Sequence, residues 1–266
     1  MNYKRLCSDV QDIARETGAF IRSEQQKITT ENIETKSVAS LVTYVDKTAE
    51  ERIISALRNL IPGSGFVAEE GTASSNNEKY TWFVDPLDGT TNYLFGIAPH
   101  SVSIALAEEG KMVLGVVYEI GADEMFYAWK NSPAYCNGKE IKVARRSKPE
   151  ETLIATGFPY YDFDRVNDYI DAMRHLMKNT LGLRRFGSAA VDLSYVASGR
   201  FDAFFEHALH AWDVAAGVFI LQQAGGKTTD FNGGDNWLFG GEIISASESY
   251  FDGFYGIINK FLGQKQ

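Results

Sequence analysis

Cysteine is nearly absent from this 266-residue chain, with Cys7 and Cys136 the only two. Two thiols so far apart supply neither a disulfide framework nor a thiolate zinc site, and both read as inert packing residues. Long apolar runs are missing as well: nothing reaches the roughly 18 residues of a membrane span. The amino-terminal Lys4, Arg5, Asp9, Asp12 and Arg15 leave no apolar stretch for a signal peptide. No membrane contact is expected, and a cytoplasmic location is the default. Basic residues are in deficit, 26 Lys and Arg against 35 Asp and Glu, for a formal net charge of −9. Nucleic acid is therefore not an expected partner, since its phosphate backbone requires clustered cations. Short basic spots such as Lys142 to Lys148 read as solvated surface. No segment has the Pro, Gly or polar bias of a disordered tract, and no internal repeat is visible. With 44% hydrophobic residues, the chain is expected to fold almost end to end.

What is present organises into two halves. Leu6, Val10, Ile13, Ala14, Phe20 and Ile21 recur at helical spacing, as do Val45, Ala49, Ile53, Leu57 and Leu60, before Pro62-Gly63 ends the second helix. The polar stretch from Ile28 to Thr43 reads as an extended or mobile connection. Residues 65–68 and 80–84 are short β-prone runs, with a surface loop from Ser74 to Lys79 between them. Ser101 to Trp129 alternates as a three-stranded antiparallel meander. Beyond about Pro149 strands alternate with helices: a strand at Thr152 to Thr156, a helix from Arg165 to Lys178, a helix capped by Ser188, a strand at Phe201 to Glu206, and a helix from Trp212 to Gln223 closed by Gly225-Gly226. Two subdomains, 1–148 and 149–266, sharing a continuous core are expected. The pairs Tyr160-Tyr161 and Phe204-Phe205 read as packing.

The chemistry concentrates in Trp82 to Tyr93, where Asp85-Pro86-Leu87-Asp88 closes an apolar run and Gly89-Thr90-Thr91 follows at once. Two carboxylates suit a hard cation such as Mg²⁺, and a Gly-Thr-Thr turn can aim N–H groups and hydroxyls at a phosphate. A bare D-P-x-D-G is equally an ordinary turn, because Asp, Pro and Gly are favoured there for local reasons. Two further acidic elements, Glu69-Glu70 upstream and Trp212-Asp213 downstream, tip the balance toward metal-assisted phosphoryl chemistry. Bound cations would reverse the sign of the local field, so an acidic protein can still receive an anionic substrate.

On Phe66-Val67-Ala68-Glu69-Glu70, on Trp82 through Asn92, and on Trp212-Asp213-Val214-Ala215-Ala216-Gly217 with Gly226 a helix later, the chain resembles the inositol monophosphatase family. Similarity extends from about Asp9 to Phe261, through Tyr135-Cys136-Asn137-Gly138 and Gly187-Ser188-Ala189-Ala190. The resemblance implies a five-layered αβαβα sandwich, shared with the fructose-1,6-bisphosphatase type, whose site lies between the two halves. It implies two to three Mg²⁺ ions, one held by Glu69, Asp85 and the Leu87 carbonyl, another by Asp85, Asp88 and Asp213, and a weaker third beside Glu69. In the same way it makes Glu69, Thr90 and Asp46 the catalytic group, with Asp46 polarising the Thr90 hydroxyl. The N–H groups of Gly89 and Thr90 would hold the phosphate, beside Leu87, Asp88 and Asp213. Gly187, Ser188, Ala189 and Glu206 would surround the alcohol. A homodimer and lithium sensitivity follow from the same source.

Each residue also has a plainer role. Asp46 could be a solvated residue near a helix start, Asp213 a first-turn acid serving only the helix dipole, and Glu206 a strand-end surface carboxylate. His210 reads as supporting or packing, and His100, His175 and His207 have no constellation around them. The family often has Gly and Asp where this chain has Ala68 and Ser40, so Lys36 in the adjoining segment receives no catalytic role. Inositol monophosphate is the leading substrate, ahead of fructose 1,6-bisphosphate, histidinol phosphate and 3′-phosphoadenosine 5′-phosphate. A haloacid-dehalogenase-like phosphatase is the mechanistic rival, but its two aspartates stand two residues apart rather than three. A non-catalytic interaction protein on the same fold is the alternative of a different class.

Overall fold

The structure is a computed structural model, which describes residues 1–27, 33–37, 40–71, 78–158 and 163–263. Tyr160-Tyr161 and most of the Ser74 to Lys79 loop lie outside the described residues. In chain order the elements are α1 (Tyr3–Glu24), β1 (Ile33–Ser37), β2 (Ser40–Thr43), α2 (Tyr44–Leu60), β3 (Gly65–Ala68), β4 (Tyr80–Asp88), α3 (Thr90–Leu94), β5 (Ser101–Glu108), β6 (Lys111–Glu119), β7 (Glu124–Trp129), β8 (Ala134–Cys136) and β9 (Lys139–Ile141). The second half supplies β10 (Leu153–Thr156), α4 (Val166–Asn179), β11 (Gly182–Arg184), α5 (Ala189–Ala197), β12 (Ala203–His207), α6 (Ala211–Gln223), β13 (Gly226–Thr229), β14 (Glu242–Ser247) and α7 (Phe251–Leu262).

Two sheets and three helical layers alternate. The seven-stranded sheet has the order β3-β4-β5-β6-β7-β8-β9, and the five-stranded sheet the order β11-β10-β12-β14-β13. On the outer face of the larger sheet, Val10 and Ile21 of α1 and Ile53 and Leu57 of α2 share a core with Trp82, Ile104 and Val116. Helices α5 and α6 fill the space between the sheets, where Leu193, Val214 and Val218 meet Phe83, Ala105 and Val117 on one side and Phe204 and Ile243 on the other. Tyr169 and Leu176 of α4 and Phe254 and Ile258 of α7 cover the far face, against Ile154, Phe205 and Ile244. Adjacent Phe204 and Phe205 thus serve different layers, as strand alternation requires. This is the five-layered αβαβα sandwich.

The local sequence explains these placements. Helices that are apolar on one side, such as α1 and α4, lie outermost, whereas α5 and α6 are apolar around nearly their whole circumference and must be covered on both sides. Nine residues of α6 are buried, among them every position from Val214 to Leu221. The 101–129 meander is present as β5, β6 and β7, all antiparallel. Of the Ile28 to Thr43 segment, read as extended or mobile, the described residues 33–37 and 40–43 are extended and pair as an antiparallel ribbon, β1 with β2, that includes Lys36.

Candidate active site

The Asp85 to Asp88 segment is not the turn its composition suggests: β4 runs through it to Asp88. In its pairing with β5, Asp85 lies opposite Ser103 and Asp88 opposite Ser101, with a register shift between them. Three steps on β4 therefore match two on β5, which is a β-bulge. In a regular strand residues three apart point to opposite faces. The extra residue brings both aspartates to the face of the middle helices, where the Ser103 hydroxyl donates to the Trp212 carbonyl at 3.4 Å and Ser101 Oγ lies 3.3 Å from Ser188 Oγ. Pro86 is tolerated inside the bulge because no ladder donor is needed there. Gly89 then turns the chain at φ +88° into α3, and a Cβ added there would stand 3.0 Å from the Pro99 carbonyl oxygen and 3.2 Å from that of Gly187. Only glycine meets both demands.

Asp88 fastens the sheet to α5. Its Oδ2 accepts the Ser188 hydroxyl at 2.6 Å and the Ala190 N–H at 2.9 Å, while Ser188 caps the helix by accepting from Val191 N. Burial and the nearby Asp213 raise Asp88 to about 7, against the lowering by those two donors and by Arg185. Asp85 is 2% exposed and stands well above the ordinary carboxylate range, because of burial first and then the charges of Glu69, Asp88 and Asp213. Its Oδ1 accepts the Leu87 N–H at 3.0 Å. Asp213 stands in the first turn of α6 and closes a capping box with His210, whose backbone N–H donates to Oδ2 at 2.6 Å. It thus serves the helix end and the acidic cluster together. His210 stacks on Trp212 with ring centroids 4.6 Å apart.

Asp46 is not solvated. It is 1% exposed, and its Oδ2 accepts the Thr43 N–H at 2.8 Å and the Thr43 hydroxyl at 2.7 Å. Its Oδ1 lies 3.1 Å from Thr90 Oγ1, which also lies 3.0 Å from the Leu87 carbonyl oxygen. The Thr90 hydroxyl has one proton and two acceptors for it, so its own lone pairs remain able to accept. Burial raises Asp46 above the usual range while the Thr43 and Thr90 bonds pull it back. Glu69 follows β3, and its N–H donates to Val84 O at 3.3 Å, one residue before Asp85.

Glu206 is not a surface carboxylate either, being 8% exposed at the end of β12. It lies over Gly157, where an added Cβ would overlap the carboxylate at 1.8 Å. Burial lifts it to about 8, opposed by Arg185 and reinforced by Asp213 and Asp88. Ser188 is committed to Asp88 and to its cap, and Ala189 is 7% exposed. Arg185 and Asp192 escaped the sequence reading. Asp192 is 1% exposed, its Oδ1 has no hydrogen-bond partner, and it is raised by burial and then by Glu206 and Asp88. The available signal was an acid in an otherwise apolar helix, preceded by an arginine just before Gly187.

Divalent cations fit this donor set. Buried carboxylates that repel one another at Asp85 call for positive charge, and every candidate donor is an oxygen, the preference of Mg²⁺. Among the described residues no three acidic, His or Cys side chains close on one point, so the arrangement is an open cluster rather than a preformed cage. Mg²⁺ retains several waters and needs only one or two carboxylates of its own. A cavity of about 800 Å³ lies elsewhere, between β13, the Asn232 to Asp235 loop and the Phe251 and Tyr255 rings of α7. No comparable gathering of acids lines it, so the carboxylate cluster is the better candidate site.

Comparisons with known proteins agree with this architecture. The model of the inositol monophosphatase family matches residues 5–260. The chain is 37% identical over 243 residues to the Nus factor SuhB of Pseudomonas aeruginosa, covering 90% of each. It is 36% identical over 236 residues to the inositol-1-monophosphatase of Mesorhizobium japonicum, covering 88% of this chain and 89% of the relative. The crystal structure of the extragenic suppressor protein suhB of Bartonella henselae superposes with a TM-score of 0.90 at 35% identity, over 96% of this chain and 99% of that one.

Proposed function

Because the chain belongs to the inositol monophosphatase family, we propose that it is a Mg²⁺-dependent phosphomonoesterase that hydrolyses an inositol monophosphate by direct attack of water. The observation that carries this reading is the bulged strand that turns Asp85 and Asp88 to one face, with the buried Asp46–Thr90 pair beside it. Glu69, Asp85, the Leu87 carbonyl, Asp88 and Asp213 would hold two to three ions. When bound, Mg²⁺ supplies positive charge to the phosphoryl oxygens and makes a water acidic enough to attack near neutral pH.

The remaining work falls to side chains. Thr90, its proton directed to Asp46 or to the Leu87 carbonyl, presents an acceptor to the attacking water, and Glu69 orients and helps deprotonate it. The N–H groups of Gly89 and Thr90 bind the phosphate. Glu206 accepts from ring hydroxyls of the polyol, in a wall completed by Gly187, Ser188 and Ala189. The halves 1–148 and 149–266 act as one unit, since Asp213 must meet Asp85 across them. A homodimer is the assembly carried from the resemblance, and exposed Phe95 and Ile97 offer apolar area for it.

The test is phosphate release from inositol monophosphate, fructose 1,6-bisphosphate, histidinol phosphate and 3′-phosphoadenosine 5′-phosphate with Mg²⁺, with and without Li⁺. The inositol ester is expected to turn over fastest and Li⁺ to inhibit. Asp88→Ala and Asp213→Asn should each abolish release in folded protein. Unchanged turnover in either variant, or an aspartyl-phosphate trapped on Asp85, would overturn the mechanism. The Nus factor names of relatives favour a second reading, an interaction role on this fold. A folded Asp213→Asn protein that loses turnover yet still fulfils its role in cells would support it.

A further inference from the structure

Helix α2 carries a second buried acid that the proposed chemistry does not use. Glu50 lies one turn after Asp46, so the two share a helix face, and Glu50 is 0% exposed. Its Oε2 accepts the backbone N–H of Glu70 at 2.7 Å. The neighbouring Glu69 N–H is held by Val84 O at 3.3 Å, so the Glu69-Glu70 peptide is tied on one side to β4, just before Asp85, and on the other to α2. The same helix, through Asp46, holds Thr90 at 3.1 Å, and Thr90 in turn contacts the Leu87 carbonyl at 3.0 Å. Carboxylates are seldom buried unless a specific donor holds them there. Two on adjacent turns, each engaging a different loop of the acidic cluster, are therefore an arrangement that asks for an explanation.

We infer that Glu50 is a positioning residue, which with Asp46 makes α2 a jig setting the distance between Glu69 and the Asp85 to Thr90 segment. The two segments come from different strands, β3 and β4, and among the described residues β3 is an edge strand paired with β4. The chain leaves β3 directly after Ala68, and the Glu69 N–H bond to Val84 O at 3.3 Å carries the pairing with β4 one residue further. The fully buried Glu50 carboxyl, accepting the Glu70 N–H at 2.7 Å, adds a fixed point on the helix side of that turn. Partners that orient ligating groups typically change metal affinity or activity by about 10–100-fold when removed.

This inference rests on the Mg²⁺ phosphatase reading, and its test separates the two. Mg²⁺ binding to the full chain is measured by calorimetry, with turnover of inositol monophosphate against Mg²⁺ concentration and the melting temperature in EDTA, for wild type, Glu50→Gln, Glu50→Asp and Glu50→Ala. Glu50→Gln keeps an acceptor for the Glu70 N–H and is expected within about threefold of wild type in half-saturating Mg²⁺. Glu50→Ala is expected to need about 10–100-fold more Mg²⁺, with the substrate KM at saturating Mg²⁺ little changed. A folded Glu50→Ala protein that binds Mg²⁺ as wild type does overturns the positioning role. If Glu50→Ala does not fold, Glu50→Asp decides: weaker Mg²⁺ binding with an unaltered melting temperature supports the role, and unchanged binding overturns it. If wild type itself neither binds nor uses Mg²⁺, the functional reading fails and this inference falls with it.

Discussion

Raising the pH of the metal-free protein from 6.5 to 8 is expected to lower its melting temperature, against the behaviour of most paired carboxylates. Glu206 rises from 4.5 to about 8 on folding and Asp88 from 3.8 to about 7. Across this window the unfolded carboxylates are already ionised while the native state still holds protons. The native state therefore binds more protons, and stability falls as pH rises. It is fully present below the unfolded values and lost as pH passes the folded ones. One extra native proton over one and a half units, at about 1.36 kcal/mol per unit, gives about 2 kcal/mol, and Asp88 adds a fraction up to pH 7. At about 2–4 °C per kcal/mol for a chain of this size, the drop is about 4–10 °C. His100, lowered by burial, works the other way but below about pH 6.5, which is why the window starts there. Differential scanning calorimetry in EDTA reads the slope, and saturating Mg²⁺ should flatten it by neutralising the cluster. Glu206→Gln should make it shallower without metal, leaving the part that Asp88 and the other raised carboxyls contribute. A melting temperature that stays level or climbs from pH 6.5 to 8 in EDTA would refute the electrostatic account.

Two other outcomes follow from single contacts. Thr90→Val keeps the shape but removes the hydroxyl between Asp46 and Leu87, and is expected to cut kcat by about 100-fold or more with substrate KM little changed, whereas Thr90→Ser retains most activity; steady-state kinetics with inositol monophosphate checks both. At Gly115 on β6 an added Cβ would meet the Ala216 carbonyl oxygen of α6 at 2.8 Å, so Gly115→Ala should cost about 1–3 kcal/mol by forcing sheet and helix apart, measured by urea unfolding.

The parts of the site legible in the sequence are those whose chemistry restricts the residue type. Glu69, Asp85, Asp88 and Asp213 stand out because a hard cation needs oxygen donors, and because strand ends and helix starts are readable from short windows. The bulge was not legible: Asp-Pro-Leu-Asp-Gly has the local preferences of a turn, and only pairing with Ser101 and Ser103 of β5 holds it as strand. Glu50 was invisible for a related reason. An acid four residues after Asp46 on a helix looks like solvated surface, and its buried place beside the Glu70 N–H follows only once the chain after β3 arrives against α2. Asp192 and Arg185 depend likewise on contacts between layers. Short or edge elements, among them β8, β9, β11 and β13, carried too little periodicity to be read, and β14 and α7 were missed at the end of the chain. The helices of the middle layer were legible as helices, but their depth between two sheets followed only from the assembled sandwich.

The bulge between Asp85 and Asp88 also bears on how such sites arise. Two aspartates two residues apart on an unbroken strand would face the same side without any irregularity. The spacing of three reaches the same result by a different route, because the additional residue restores the facing that an odd spacing would forfeit. The two spacings meet a single geometric demand with different backbones. The longer one adds something the shorter lacks: a bulged segment whose Leu87 carbonyl meets the Thr90 hydroxyl, so that main chain as well as side chains stands among the groups of the candidate site.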